Sequence, residues 1–113
     1  MTRRNRIMQL LGLARRAGAV APGTDAVRHA IRAGRAHVVL LAGDASPVQL
    51  DKIARTMNEC SIPTAHVENR ETLGAAVGLA PLSAVAVTNA SLAEELVVEL
   101  GDLLVDDSVA VER

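Results

Sequence analysis

No phenylalanine, tyrosine or tryptophan occurs in these 113 residues, although half of them are apolar. The core must therefore be filled by Leu, Val, Ile, Ala and Met, and small aliphatic side chains reach native density only where helices approach a sheet closely. The length fits one domain with a continuous core. That domain is expected over residues 1–100, with 101–113 as an acidic and apolar tail that is either a docked strand or a mobile end. The same absence removes the aromatic platform on which single-stranded nucleic acids usually stack their bases.

Two hydrophobic periods alternate along the chain. Ile7, Leu10, Leu11, Ala14 and Ala17 share one helical face, with Arg3, Arg6, Arg15 and Arg16 largely off it and Gly18 as a stop. A short extended piece, Ala19 to Pro22, leads through Gly23-Thr24-Asp25 into a second helix, capped by Thr24 or Asp25 and ending near Gly34. Val38-Val39-Leu40-Leu41 is apolar on both faces, as in a strand covered on both sides. Ser46-Pro47 opens a third helix, in which Leu50, Ile53, Ala54, Met57 and Cys60 recur at helical spacing as far as Ser61. A strand at Thr64–Val67, a capped helix from Asn69 to Val77, a strand at Ala84–Val87 and a helix from Ser91 to Leu100 complete the alternation. The pattern predicts an α/β fold: a three-layer α/β/α sandwich around a mixed, mostly parallel sheet of about four strands.

Charge is segregated along the chain. Residues 1–60 carry ten Arg or Lys against four acids, a balance of +6, and residues 61–113 carry two against nine, a balance of −7. A basic half in a nearly neutral chain points to a directed field and an anionic partner. Lone Cys60 permits no internal disulfide, and neither a signal peptide nor an apolar run of membrane-spanning length is read, so a reducing cytoplasmic setting is expected.

The enzyme motifs fail one by one. Gly18 to Asp25 has the glycine spacing of a phosphate-binding loop, but Thr24-Asp25 stands where Lys and Ser or Thr are required. No GxGxxG follows a strand, no GxSxG surrounds Ser46, Ser83 or Ser91, and His29, His37 and His66 belong to no metal-ligand pair. Cys60 reads as a small core residue on the third helix. Asp44 ends the central strand, where α/β enzymes keep catalytic groups, but reads as a loop carboxylate capping the third helix. Neither a catalytic residue, a metal nor a cofactor is expected.

Six strings in order carry a family resemblance: Leu10 to Gly18, Gly23-Thr24-Asp25, Ala30 to Gly34, Val38 to Ala45, Leu73 to Gly78, and Val85 to Thr88. Spread over about residues 7–97, they make the chain resemble the kink-turn RNA-binding ribosomal-protein superfamily, and most closely its short bacterial YlxQ-like branch. The resemblance implies a non-catalytic module that binds structured RNA, such as ribosomal RNA, at one end of the sandwich. Two segments would do so, Gly23 to Arg32 and Leu79 to Ser83. From them it implies Gly23, Thr24, Asp25, Arg28, His29 and Arg32, with Leu79, Ala80, Pro81 and Leu82 packing against splayed bases. Ser46, Leu50 and Arg70 match the family's pocket for an extruded nucleotide, Ser46 standing where an acid is common. Arg35, Arg15 and Arg16 are expected to extend the phosphate-contacting surface.

Asp25, Ala26 and His29 depart from the family's kink-turn readers, which carry Asn, Glu and Lys there. Asp25 accepts but cannot donate, Ala26 makes no hydrogen bond, and histidine is only partly charged near neutrality. The expected protein is a monomer, with ribosome-associated proteins as further partners. A rival reading makes it a protein-interaction module using the acidic last helix, with Glu94, Glu95 and Glu99, and the apolar loop 79–82. Steep loss of binding with salt separates the first reading from the second.

Overall fold

The structure, a computed structural model, describes residues 2–57 and 60–105. The chain runs α1 (Arg3–Arg16), β1 (Val20–Pro22), α2 (Thr24–Arg32), β2 (Val38–Ala42), α3 (Pro47–Met57), β3 (Thr64–Val67), α4 (Arg70–Ala76), β4 (Ala84–Val87) and α5 (Ala90–Leu100), followed by a 3-10 turn at Gly101–Leu103. Thr2, Asn69 and Asn89 cap α1, α4 and α5, each side-chain oxygen accepting a backbone N–H of the first turn.

β2 is buried throughout, and its side chains divide between two layers. Val38, Leu40 and Ala42 join Val85 and Val87 under Ile7, Leu10, Leu11 and Ala14 of α1, Leu73 of α4, and Leu96 and Leu100 of α5. Val39 and Leu41 face the other way with Ala84 and Ala86, against Val27 and Ile31 of α2 and Ile53 of α3. Both faces are covered, so the strand carries no polar alternation. The three-layer sandwich is the one expected from a core without aromatics.

The sheet order is β1-β4-β2-β3. β2 and β3 are parallel, whereas β4 lies antiparallel to both of its neighbours, β1 and β2. Three strands therefore share one direction, but two of the three pairings are antiparallel, a correction to the mostly parallel sheet. The cause is the connection through α4. A helix that crosses the sheet returns the next strand parallel, but the Leu82 N–H donates to the Arg70 carbonyl at 3.0 Å, tying the end of this connection to its beginning. The chain re-enters at the end it left, and β4 must run backwards.

Three local expectations also change. α3 is described only to Met57, and Cys60 is exposed rather than in the core; the expected helical end at 58–59 lies outside the described residues. Ala54 and Ala17 are exposed as well, and among the described residues of α3 Ile53 alone is fully buried. Asp44 caps α4 instead of α3, its Oδ1 accepting the Arg70 N–H at 2.8 Å, and Ser46 serves α3 by accepting the Gln49 N–H at 3.3 Å. The start of the tail lies against β3: Leu104 makes a single antiparallel bridge to Ala65, and the Val105 N–H donates to the Thr64 carbonyl at 2.7 Å. The rest of the predicted tail lies outside the described residues.

Candidate functional site

The ends of β1, β2 and β3 and the start of β4 meet at one end of the sheet. The Gly23 N–H donates to the Ala84 carbonyl and the Ala42 N–H to the Ser83 carbonyl, so the turn opening α2 and the loop entering β4 are tied to neighbouring strands. Gly23 takes φ +93° and ψ 160°, a conformation that only glycine adopts without strain. It is also the N-cap of α2, and no side chain caps this helix, contrary to the role expected of Thr24 or Asp25. Among the described residues no acceptor takes the N–H groups of Thr24, Asp25 or Ala26. A helix N-terminus left open in this way concentrates unpaired donors and the positive end of the dipole.

Facing these donors is the loop 77–83. It folds back on α4 through the Leu79 N–H to Gly74 carbonyl bond at 2.9 Å and the Leu82 bond to Arg70. A groove of about 460 Å³ separates the two segments, lined by Pro22, Gly23, Thr24, Asp25 and Ala26 on one side and Pro81, Leu82 and Ser83 on the other. The two segments singled out in the sequence are thus brought together from different halves of the chain. Gln49 and Lys52 of α3 form the remaining wall, and sequence reasoning missed both. They sit one turn apart on the polar side of α3, and that side meets the site only because α2 and α3 pack together, Arg28 Nε donating to Thr56 Oγ1 at 2.9 Å.

The other expected residues divide. Leu79, Ala80 and Pro81 are exposed and Leu82 is half-buried against the core. Arg70 is held by Asp44, with Nε 3.6 Å from Oδ2, and Leu50 is half-buried between the two core clusters. Arg28 is committed to Thr56, so its guanidinium is partly used inside the protein. His29 and Arg32 are exposed on α2, and no acid pairs with Arg32 or Lys52 among the described residues.

The charge segregation read in the sequence is partly undone in space. Arg3, Arg4 and Arg6 of α1 pair with Asp102, Glu68 and Glu95 at 3.0, 2.8 and 3.8 Å, so the basic first half spends three cations on acids of the second. No group of His, Cys, Asp and Glu suited to a metal occurs among the described residues. Nor is any described helix long and apolar enough to cross a membrane.

Comparison with known proteins gives consistent findings. A model of the family described as ribosomal protein L7Ae/L30e/S12e/Gadd45 matches residues 5–97. The RNA-binding protein YlxQ of Bacillus subtilis (strain 168) is 41% identical over 88 residues, which is 78% of this chain and 88% of that protein. A solved structure from Bacillus halodurans C, described as a protein with unknown function, superposes with a TM-score of 0.77 at 30% identity, over 83% of this chain and 95% of that one. The Giardia lamblia 15.5kD RNA binding protein superposes at 0.72 over 85% of each chain. At 18% identity it speaks for the fold alone.

Proposed function

The chain belongs to the ribosomal protein L7Ae/L30e/S12e/Gadd45 family, and on that premise we propose that it is a non-catalytic protein binding structured RNA at the α2 end of its sheet. The observation that carries this reading is the uncapped N-terminus of α2 facing the 77–83 loop across an open groove. A phosphate seated at Gly23 to Ala26 meets free N–H groups and the helix dipole, and the missing Cβ of Gly23 lets it approach the backbone. Lys52 and Arg32 supply salt-dependent attraction. Leu79, Ala80, Pro81 and Leu82 offer apolar surface to unstacked bases of a kink-turn-like element, in place of aromatic rings. Ser46, Leu50 and Arg70 border the path of an extruded nucleotide, with Thr24, Asp25 and His29 at its entrance.

The protein works as a monomer in a reducing cytoplasm, where exposed Cys60 remains a thiol, and its RNA belongs to the ribosome or to another folded ribonucleoprotein, whose proteins it touches secondarily. The test is a titration of labelled kinked RNA and a straight duplex of equal length at two salt concentrations, for the native protein and an Arg32→Ala/Lys52→Ala variant. Preference for the kinked RNA, with the variant about tenfold weaker and its log–log salt slope smaller by about two, is the expected result. Absence of binding to either RNA at low salt overturns it.

A further inference from the structure

Pro22 borders the groove between α2 and the 77–83 loop. On the far side of that residue a second groove of about 320 Å³ runs along the free edge of β1, lined by Arg15, Gly18, Val20, Pro22 and Leu79. Pro22 belongs to both, and the second is floored by the same loop that walls the first. Among the described residues its lining includes a cation and no acid.

Two observations say what fits there. β1 pairs with β4 through Ala19, Ala21 and Gly23, so by alternation the N–H and carbonyl of Val20 and the carbonyl of Pro22 face outward. Proline has no N–H to donate, which makes this edge a poor template for an added peptide strand. The cations of α1 also divide along its length. Arg3, Arg4 and Arg6 at its start are paired with acids, whereas Arg15 and Arg16 at its end have no acidic partner among the described residues. Arg15 is held over the loop by donating from a guanidinium nitrogen to the Val77 carbonyl, at the point where α4 gives way to Gly78 and Leu79.

We propose that a flanking strand of the bound RNA continues over Pro22 into the β1-edge groove, with Arg15 and Arg16 taking its phosphates and Leu79 lining its floor. The inference rests on the RNA-binding reading and adds a second contact surface from α1, on the opposite side of the loop from α2.

The experiment compares a minimal labelled kinked RNA with two versions, each extended on one arm by one helical turn. Native protein, Arg15→Gln/Arg16→Gln and Arg15→Lys/Arg16→Lys are titrated with all three. One extension is expected to tighten binding by the native protein about three- to tenfold and to steepen its salt slope by about one or two. The glutamine variant should lose that gain while still binding the minimal RNA, and the lysine variant should keep it, because a phosphate contact needs charge more than shape. If neither extension tightens native binding, or if the glutamine variant keeps the full gain, the second surface is refuted while binding of the minimal RNA still supports the first. If the native protein fails on the minimal RNA, the RNA reading falls and the inference falls with it. Because Arg15 also anchors the α4 terminus, Arg16→Gln alone, at an exposed position without that bond, is the control for misfolding; it should lose part of the gain.

Discussion

At Gly74 an added methyl group would stand 2.1 Å from the Ala80 carbonyl oxygen and 2.7 Å from its carbon. Neither is the movable end of a side chain, so Gly74→Ala must push the 77–83 loop away from α4. The expected outcome is a loss of about 1–3 kcal/mol in chemical denaturation, as for overpacking elsewhere, together with weakened binding of kinked RNA. Gly12 is the contrast: its added Cβ would meet nothing closer than the Ala76 oxygen at 3.6 Å, an ordinary contact in the middle of α1. Gly12→Ala should raise stability by about 0.5–1 kcal/mol and leave RNA affinity unchanged. Both glycines were visible in the chain within the strings that carry the family resemblance. Which one tolerates a side chain was not visible, because the deciding atom of Gly74 belongs to a loop that folds back over it.

Among the elements, α2 and α4 show how capping divides structure from function. α4 is short, yet its N-terminus is served twice, Asn69 accepting the Thr72 N–H and Asp44 accepting the Arg70 N–H, both at 2.8 Å. Asp44→Ala should cost about 0.5–2 kcal/mol in denaturant unfolding, and Asp44→Asn, which keeps an acceptor, much less. The residue at the end of the central strand thus acts as a brace between loops. Among the described residues α2 has no such cap, and the one acid that lines its groove, Asp25, sits in its first turn. That carboxylate favours the helix dipole but repels phosphate. Asp25→Asn is therefore expected to lower stability by about 0.3–1 kcal/mol and to raise RNA affinity, read by parallel melting and titration. Capping residues were legible at α3 and α4 because Ser46 and Asn69 act on their own helices, whereas the last helix was expected from Ser91 and is capped two residues earlier by Asn89. They were misread where the bond crosses from one loop to another, as with Asp44, or where an available oxygen is left unused, as with Thr24 and Asp25.

For the molecule as a whole, the pairing of α1 with acids of the second half is electrostatically tidy and energetically small. Arg3, Arg6, Asp102 and Glu95 are all substantially exposed, so water screens them. Arg6→Ala should change unfolding free energy by less than about 1 kcal/mol and, lying off the proposed surface, leave RNA affinity unaltered, checked by denaturation and titration of the same sample. Without aromatic residues the chain had few ways to fill a core. That restriction, together with the alternation of helical and strand periods and a β2 apolar on both faces, determined a covered sheet of short strands before any contact was known. Local hydrogen bonding determined most of the element limits for the same reason, since caps and stops act within a few residues. Tertiary structure alone decided the direction of β4, set by the bond from Leu82 to Arg70 across the α4 connection. It alone brought Gln49 and Lys52 to the groove, paired the first three arginines with acids of the second half and left Arg15 beside the loop. Each of these depends on residues far apart in the chain becoming neighbours, and periodicity and composition carry no information about that.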